Sequence, residues 1–421
     1  MHPKNFAEHL TSLAAFLLPG LALWIRSGPS YGAALLLIGT LVFIPRWIKV
    51  RPAPGTWALA AVLLCMAILW YELTTQQDIQ RLDRPVKWAL GALCLFYAAA
   101  NPPRASSFFW GLPIGCIGMG FLALWQIYGQ GMWRATGYTN AIPWGDTALL
   151  LACFTGVHTV IFWRERLLPW RLLHVVAIVA GLSASMLSQS RGGWLALVLA
   201  IPLLVLVAWR LHADFLPKLL MLLGGVVLVF ALTIFSVPHL RAHANKAVHE
   251  ITQYFQSNEV NTSLGIRLEQ YRMAFDLIPE KPLLGWSRQG FEQETERRVA
   301  TGLYHPALLG YRDYIHNELL DSWVKTGVLG AMVQLALYFV PLWLFWPSSR
   351  RMSSVLPIEK WRQVLSLRLM GCLMSVMHLG FGMTMPYFAH NSGTVFFIFC
   401  MVCLWAALQG LEKANHDEVR A

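Results

Sequence analysis

A few arginines and one histidine, standing between long apolar runs, are the residues of this chain best placed to do chemistry. Arg191 follows Ser188-Gln189-Ser190 and opens the run Arg191-Gly192-Gly193-Trp194. A helix beginning there offers unpaired backbone N–H groups and a partial positive charge, and the arginine adds a planar, always-charged fork that suits phosphate oxygens. The two glycines would let a ligand come close to the backbone. The other reading of Arg191 is a side chain that lays its stem in apolar surroundings and sends its head to lipid headgroups. Arg267 lies in Gly265-Ile266-Arg267-Leu268-Glu269-Gln270-Tyr271-Arg272, where a helix puts it on one face with Tyr271 and turns Arg272 elsewhere. A plain surface ion pair is its alternative. His316, in His316-Asn317-Glu318-Leu319-Leu320, carries an imidazole able to accept a proton near neutral pH. Asp313, three residues earlier, could hold that ring by one nitrogen. The bland alternative is a structural histidine at a membrane edge.

Two more arginines are secondary candidates. Arg288 lies in the glycine-punctuated stretch Pro282-Leu283-Leu284-Gly285-Trp286-Ser287-Arg288-Gln289-Gly290-Phe291, which could turn N–H groups towards an anion or could simply turn the chain. Arg134 lies in Arg134-Ala135-Thr136-Gly137-Tyr138-Thr139-Asn140 and has Asp146, at the start of the next apolar run, as a possible ionic partner. Other chemistries lack their signatures. His239 and His243 are four apart, but no adjacent glutamate completes a metalloprotease motif. The chain has no Asp-x-Asp pair, phosphate-binding loop, dinucleotide fingerprint or serine-hydrolase signature, so no metal or cofactor is expected and ATP-driven transport is unsupported.

The elements that must position these residues are membrane helices. Of 421 residues, 56% are hydrophobic and only 13% charged, where soluble domains run near about a quarter charged. The net charge of +11 comes in small groups between apolar runs, with no basic helix, which argues for anionic lipid or substrate and against nucleic acid. Apolar runs of bilayer length lie at 10–25, 31–45, 55–73, 87–100, 107–128, 144–163, 170–187, 191–209, 216–236, 326–347, 363–384 and 392–410, the second, fourth and seventh being short. Tryptophan and tyrosine gather near their ends, as at Trp24, Tyr71 and Trp346. With a cytoplasmic N-terminus, the cytoplasmic segments carry sixteen Lys and Arg and the short outer loops six, which places both termini inside. The first run lacks a small-x-small cleavage site and reads as an uncleaved helix.

The long segment 237–325 then lies outside. It holds half of the 22 acidic residues and no cysteine; all seven cysteines fall in apolar runs, so no disulfide framework holds the segment together. It reads as helical: an amphipathic stretch from Ala242 to Tyr254, a helix capped by Ser263 and running to about Leu277, and a shorter one over Phe291–Val299. No flexible linker sets it apart, so residues 1–421 are taken as one all-α, polytopic membrane domain of about twelve spans with one large outer loop.

The order of these segments resembles one family. Arg-x-x-Gly-Tyr-x-Asn follows the fifth span, and Ser-x-Ser-Arg-Gly-Gly-Trp opens the eighth. The long loop then brings Arg267, Pro-Leu-Leu-Gly-Trp, His316-Asn317-Glu-Leu-Leu and Lys-Thr-Gly-Val-Leu-Gly at 325–330. The pattern is similar to the O-antigen ligase and polymerase superfamily of bacterial membrane glycosyltransferases, by motif over about 130–330 and by topology over nearly the whole chain. The likeness implies a GT-C-like fold in the bacterial inner membrane with a periplasmic active site. It implies a glycan donor on undecaprenyl diphosphate and, for the ligase branch that the chain resembles most, a lipid A-core acceptor. It assigns diphosphate binding to Arg191 and Arg267, with Arg134 and Arg288 behind them, and makes His316 the essential histidine, supported by Tyr271, Asp313 and Asn317. Arg288 departs from the family, which more often has a small residue there. The polymerase branch stays open. The protein O-oligosaccharyltransferases usually continue into a sizeable C-terminal domain, whereas about ten residues follow the last span here. A flippase or transporter is the non-enzyme alternative, but its binding groups should sit near the membrane midplane.

Overall fold

The computed structural model describes residues 3–74, 82–211, 215–236, 249–250, 252–256, 259–352 and 357–420. Along the chain run α1 (Pro3–Leu21), α2 (Gly28–Val42), α3 (Ile44–Trp47), α4 (Pro54–Thr74), α5 (Asp83–Ala100), α6 (Ala105–Leu124), α7 (Ala141–Phe162), α8 (Leu168–Leu187), α9 (Arg191–Leu211) and α10 (Phe215–Ser236). They are followed by α11 (Ser263–Leu277), α12 (Ser287–Ala300), α13 (Glu318–Phe345), α14 (Ile358–Gly382) and α15 (Asn391–Arg420). No strand occurs among the described residues. Each of the twelve apolar runs is a helix. Among the described residues eight helices are long and apolar enough to cross a bilayer: α4, α6 with the π-helical turn Trp125–Gly129 that continues it, and α7, α8, α9, α13, α14 and α15. The seventh run, short in sequence, gains two residues and becomes the 20-residue α8. The protein is an all-α, multi-pass membrane protein.

Small residues let the helices close on one another, as lipid-embedded packing requires. A Cβ on Gly380 of α14 would stand 2.6 Å from the Ala196 backbone of α9, and one on Gly115 of α6 would stand 2.0 Å from the Pro19 carbonyl of α1. The central helices α7, α14 and α15 are buried along most of their length, while only 33% of α9 is buried.

The segment between α10 and α13 has, with the start of α13, its own apolar core, which includes Met273, Leu277, Phe291, Leu308 and Val324. Helix α11 starts as expected, but its cap is Thr262, whose Oγ1 accepts the Gly265 N–H at 2.9 Å. Helix α12 begins four residues earlier than the sequence suggested. The stretch Ala242–Tyr254 falls mostly outside the described residues, as do His239 and His243. Helix α13 joins loop to span through a break at Gly327 (φ 68°, ψ −163°).

That break has a partner. The Pro-Leu-Leu-Gly-Trp turn is a docking element for α13. Trp286 N–H donates to Val324 O at 2.8 Å, and Val328 N–H, freed by the break, donates to Pro282 O at 2.9 Å. Gly285 is also left-handed (φ 69°). A Cβ there would meet the 325–327 backbone at about 2.5 Å, and one on Gly327 would meet Leu283 O at 2.0 Å. The two glycines allow two backbones to touch, so this stretch shapes the chain, and its tight side faces protein.

Candidate functional site

Three distant parts of the chain meet at the head of α13. Helix α11 supplies Arg267, Gln270 and Tyr271 on one face, at the i, i+3, i+4 spacing. The connection between α14 and α15 supplies backbone oxygens. Arg267 Nε donates to Thr384 O at 3.1 Å, and its Nη1 reaches back to Ser263 O and Oγ at 3.2 and 3.0 Å. Tyr271 Oη lies 2.9 Å from His316 O and 2.5 Å from Met383 O. Burial pushes the Tyr271 phenol up to about 12, so it stays protonated and able to donate. Asn317 caps α13, its Oδ1 accepting from Leu319 and Leu320 N–H at 3.1 Å each, which fixes where the helix starts after His316.

The His316 ring is held by Gln270. Gln270 Nε2 donates to Tyr314 O at 3.0 Å and to Tyr311 O at 3.3 Å, so its Oε1 must face the other way. That oxygen accepts the His316 backbone N–H at 3.0 Å and sits 2.7 Å from Nδ1. Nδ1 therefore carries the ring proton, and Nε2 is left with a lone pair. Burial, then the charge of Arg267 and the neighbouring His390, lower the imidazole to about 4, so the ring is neutral at physiological pH. Sequence reasoning gave the ring-holding role to Asp313. The structure turns Asp313 to solvent, where its carboxylate lies 3.6 Å from Arg288. The reason is local: residues 306–311 form a 3-10 turn, and no helix joins 313 to 316.

Arg191 starts α9, as expected, beside the same connection. A Cβ on Gly192 would be 2.2 Å from Thr384 Oγ1 and one on Gly193 2.1 Å from Asp146 Oδ1. The glycines thus admit neighbouring protein groups, not a ligand. Ser190 Oγ donates to the same Asp146 oxygen at 2.8 Å. Arg191 Nη2 stands 3.7 Å from Oε2 of the buried Glu250. Burial holds the Arg267 guanidinium below its ordinary pKa, and the charge of Arg191 adds to the effect, which places the two cations within electrostatic reach of each other.

The secondary arginines stand differently. Arg288 Nε donates to Glu292 at 2.9 Å, and with Asp313 nearby its charge is already matched. Arg134 packs over the Trp133 ring, 5.2 Å from its centroid, and does not pair with Asp146, which faces Ser190. The motif around Arg134 builds a turn. Gly137 is left-handed (φ 58°), the Gln126 side chain bonds the backbone of 136 and 137, and Asn140 caps α7.

Sequence reasoning missed Gln270, Glu318, Thr384 and His390. Glu318 is buried and ties the 383–390 connection down: its Oε1 accepts Phe388 N–H at 2.9 Å and its Oε2 the Tyr338 hydroxyl at 3.1 Å. Gln270 had a signal, since it shares the Arg267 and Tyr271 face. Thr384 and His390 had none, because they lie far along the chain from the motifs they serve. No group of three His, Cys, Asp or Glu able to hold a metal occurs among the described residues.

The comparisons with known proteins bear on this same region. Residues 176–335 match the family model described as O-antigen ligase, a span that contains Arg191, Arg267, Arg288 and His316 but not Arg134. The chain is 25% identical over 390 residues to an uncharacterized protein of Haemophilus influenzae, covering 90% of this chain and 93% of that one. It is 26% identical over 162 residues to the O-antigen ligase of Escherichia coli, covering 36% of each. These matches support a likeness between residues 176–335 and the O-antigen ligase superfamily, a group of ligase- and polymerase-type membrane glycosyltransferases.

Proposed function

We propose that this protein is an O-antigen ligase that transfers a glycan from undecaprenyl diphosphate to the lipid A-core oligosaccharide, on the periplasmic face of the bacterial inner membrane. The observation that carries the reading is the His316 ring, whose Nδ1 is committed to Gln270 and whose Nε2 keeps its lone pair, beside the Arg267 guanidinium. An acceptor hydroxyl that meets Nε2 gives up its proton as its oxygen attacks the anomeric carbon. The bond from that carbon to the diphosphate oxygen breaks, and the charge growing on the leaving diphosphate is met by Arg267 and Arg191. Preorganised donors of this kind contribute about 10²–10³-fold each, and a positioned base about 10²–10⁴-fold. A single displacement inverts the anomeric centre. Arginines supply the electrophilic assistance, so transfer proceeds without a metal. The polyprenyl tail lies among the membrane helices while the glycan projects outwards.

The test is transfer by the purified protein in proteoliposomes, with undecaprenyl-diphosphate glycan and lipid A-core as the only substrates. Glycosylated lipid A-core made by the wild type in chelator, and lost in His316→Ala, supports the reading. Lengthened glycan on the donor lipid in its place moves the protein to the polymerase branch. Donor lipid carried across the bilayer without chemical change makes it a flippase.

A further inference from the structure

At the opposite end of α13 from His316 lies a cavity of about 1080 Å³. Helix α13 has 28 residues, which at the usual rise separates the two places by about 40 Å. The cavity sits at the ends of three spans: α4 begins at it with Pro54, α13 ends at it, and α15 passes it at Trp405–Lys413. Its charged lining is Arg51, Arg350, Arg351, Arg368 and Lys413 against Glu412 alone. Glu412 is engaged by Arg368, and Arg351 Nη1 is engaged by the Trp343 and Leu344 carbonyls at the end of α13, at 2.5 and 3.0 Å. Among the described residues Arg51, Arg350 and Lys413 have no acidic partner, and all three are exposed. Arg368 is only 3% exposed, lines the cavity, and has an Nε that finds no hydrogen-bond acceptor. A buried guanidinium N–H without a partner is costly, and here it borders a space with room for one.

The cavity has a second character. Phe96, Trp343 and Trp405 also line it, and Trp343 is 63% exposed at the outer surface of the bundle. A site basic on one side, aromatic and apolar on the other, and set at the ends of membrane spans matches a phosphate headgroup with acyl chains attached. We propose that this cavity binds an anionic glycerophospholipid of the leaflet opposite the candidate active site, its phosphate among Arg51, Arg350, Arg368 and Lys413 and its chains along Trp343 and Phe96.

The test uses the full chain, purified and delipidated, with native mass spectrometry and thermal unfolding in the presence of phosphatidylglycerol, phosphatidylcholine or inorganic phosphate. The wild type should favour phosphatidylglycerol over phosphatidylcholine by about tenfold or more. Arg51→Gln, Arg350→Gln and Lys413→Gln combined, all at exposed positions, should abolish the preference without loss of fold. Arg46→Gln with Lys49→Gln, exposed basic residues outside the cavity, should leave it intact. Equal binding of the two lipids, a preference that survives the triple variant, or one lost equally in the Arg46/Lys49 control overturns the proposal. A thermal shift from inorganic phosphate as large as that from phosphatidylglycerol would make the ligand a soluble phosphate and would also overturn it.

Discussion

The proposed base makes a distinctive prediction about pH. In the free protein, burial and the Arg267 charge hold His316 at about 4, against an ordinary value of about 6.5. The lone pair on Nε2 is present above that value and is lost as pH falls through it. A bound diphosphate diester carries fixed negative charge and neutralises Arg267, so it must raise the imidazole. One unit charge about 6 Å away, at an effective dielectric of about 20, contributes about 3 kcal/mol, or about 2 pKa units. The dependence of kcat/KM on pH reports the free enzyme, and that of kcat reports the complex. Initial rates of transfer measured from pH 5 to 8 should therefore separate the two. kcat/KM stays flat down to about pH 5, while kcat falls on the acid side with a midpoint near 6. An acid limb in kcat/KM near 6.5, or a kcat limb no higher than that of kcat/KM, refutes the account of a neutral, arginine-depressed base that its own substrate retunes.

Other outcomes follow from the same contacts. Gln270→Leu removes the acceptor of two His316 N–H groups and should lower kcat about 10-fold or more while leaving donor KM within about twofold, because Gln270 positions the base and does not touch the donor; an equal change in KM would show a binding role. Arg267→Gln should cost about 10²–10³-fold in kcat/KM, and Arg288→Gln less than about threefold, since Glu292 and Asp313 already match its charge; the ratio is read from donor titrations. Gly327→Ala forces a Cβ against Leu283 O in a left-handed backbone and should destabilise by at least about 2 kcal/mol, seen as a lower unfolding temperature in detergent. His316 also links stability to pH. The unfolded imidazole binds a proton below about 6.5 and the folded one does not, so stability should fall by about 2 kcal/mol from pH 7 to 5 in the wild type and by less in His316→Gln.

Much of this was legible in the sequence because membrane physics writes itself in one dimension. A bilayer demands about twenty apolar residues in a row, so the apolar runs stood out in the sequence; all twelve are helices, and among the described residues eight of these are long and apolar enough to cross a bilayer. The helix start at Arg191 was legible beside its apolar run, and that of α11 to within one residue, its cap being Thr262 and not Ser263. What failed needed three dimensions. Asp313 stood at helical spacing from His316, but the chain there takes a 3-10 turn and then a cap, and the ring turned instead to Gln270, 46 residues away. Gly192 and Gly193 signalled close approach correctly, but Thr384 and Asp146 are what approaches. At Gly285 the missing side chain leaves room for the 325–327 backbone, and at Gly327 for the backbone of Leu283 and Leu284. A glycine in a motif reveals that something comes near; only the fold reveals whether it is ligand or protein.

The arginines are sorted by what surrounds their charge. The family resemblance made each a candidate phosphate ligand, and for Arg191 the helix start and its glycines did so as well. In the structure Arg288 lies against two carboxylates, and Arg191 has Glu250 at 3.7 Å. Among the described residues Arg267 donates to neutral oxygens: one serine hydroxyl and the carbonyls of Ser263 and Thr384. A neutral acceptor orients a guanidinium without cancelling it, whereas a carboxylate does both. The charge most available to an anionic substrate is therefore that of Arg267, which is also the one that depresses His316. In the proposed mechanism one side chain thus connects donor binding to the readiness of the base. The 383–390 connection, pinned by Glu318, holds that side chain from behind. Arginine, histidine and connection form one device, and a change in any of them should be felt through the others.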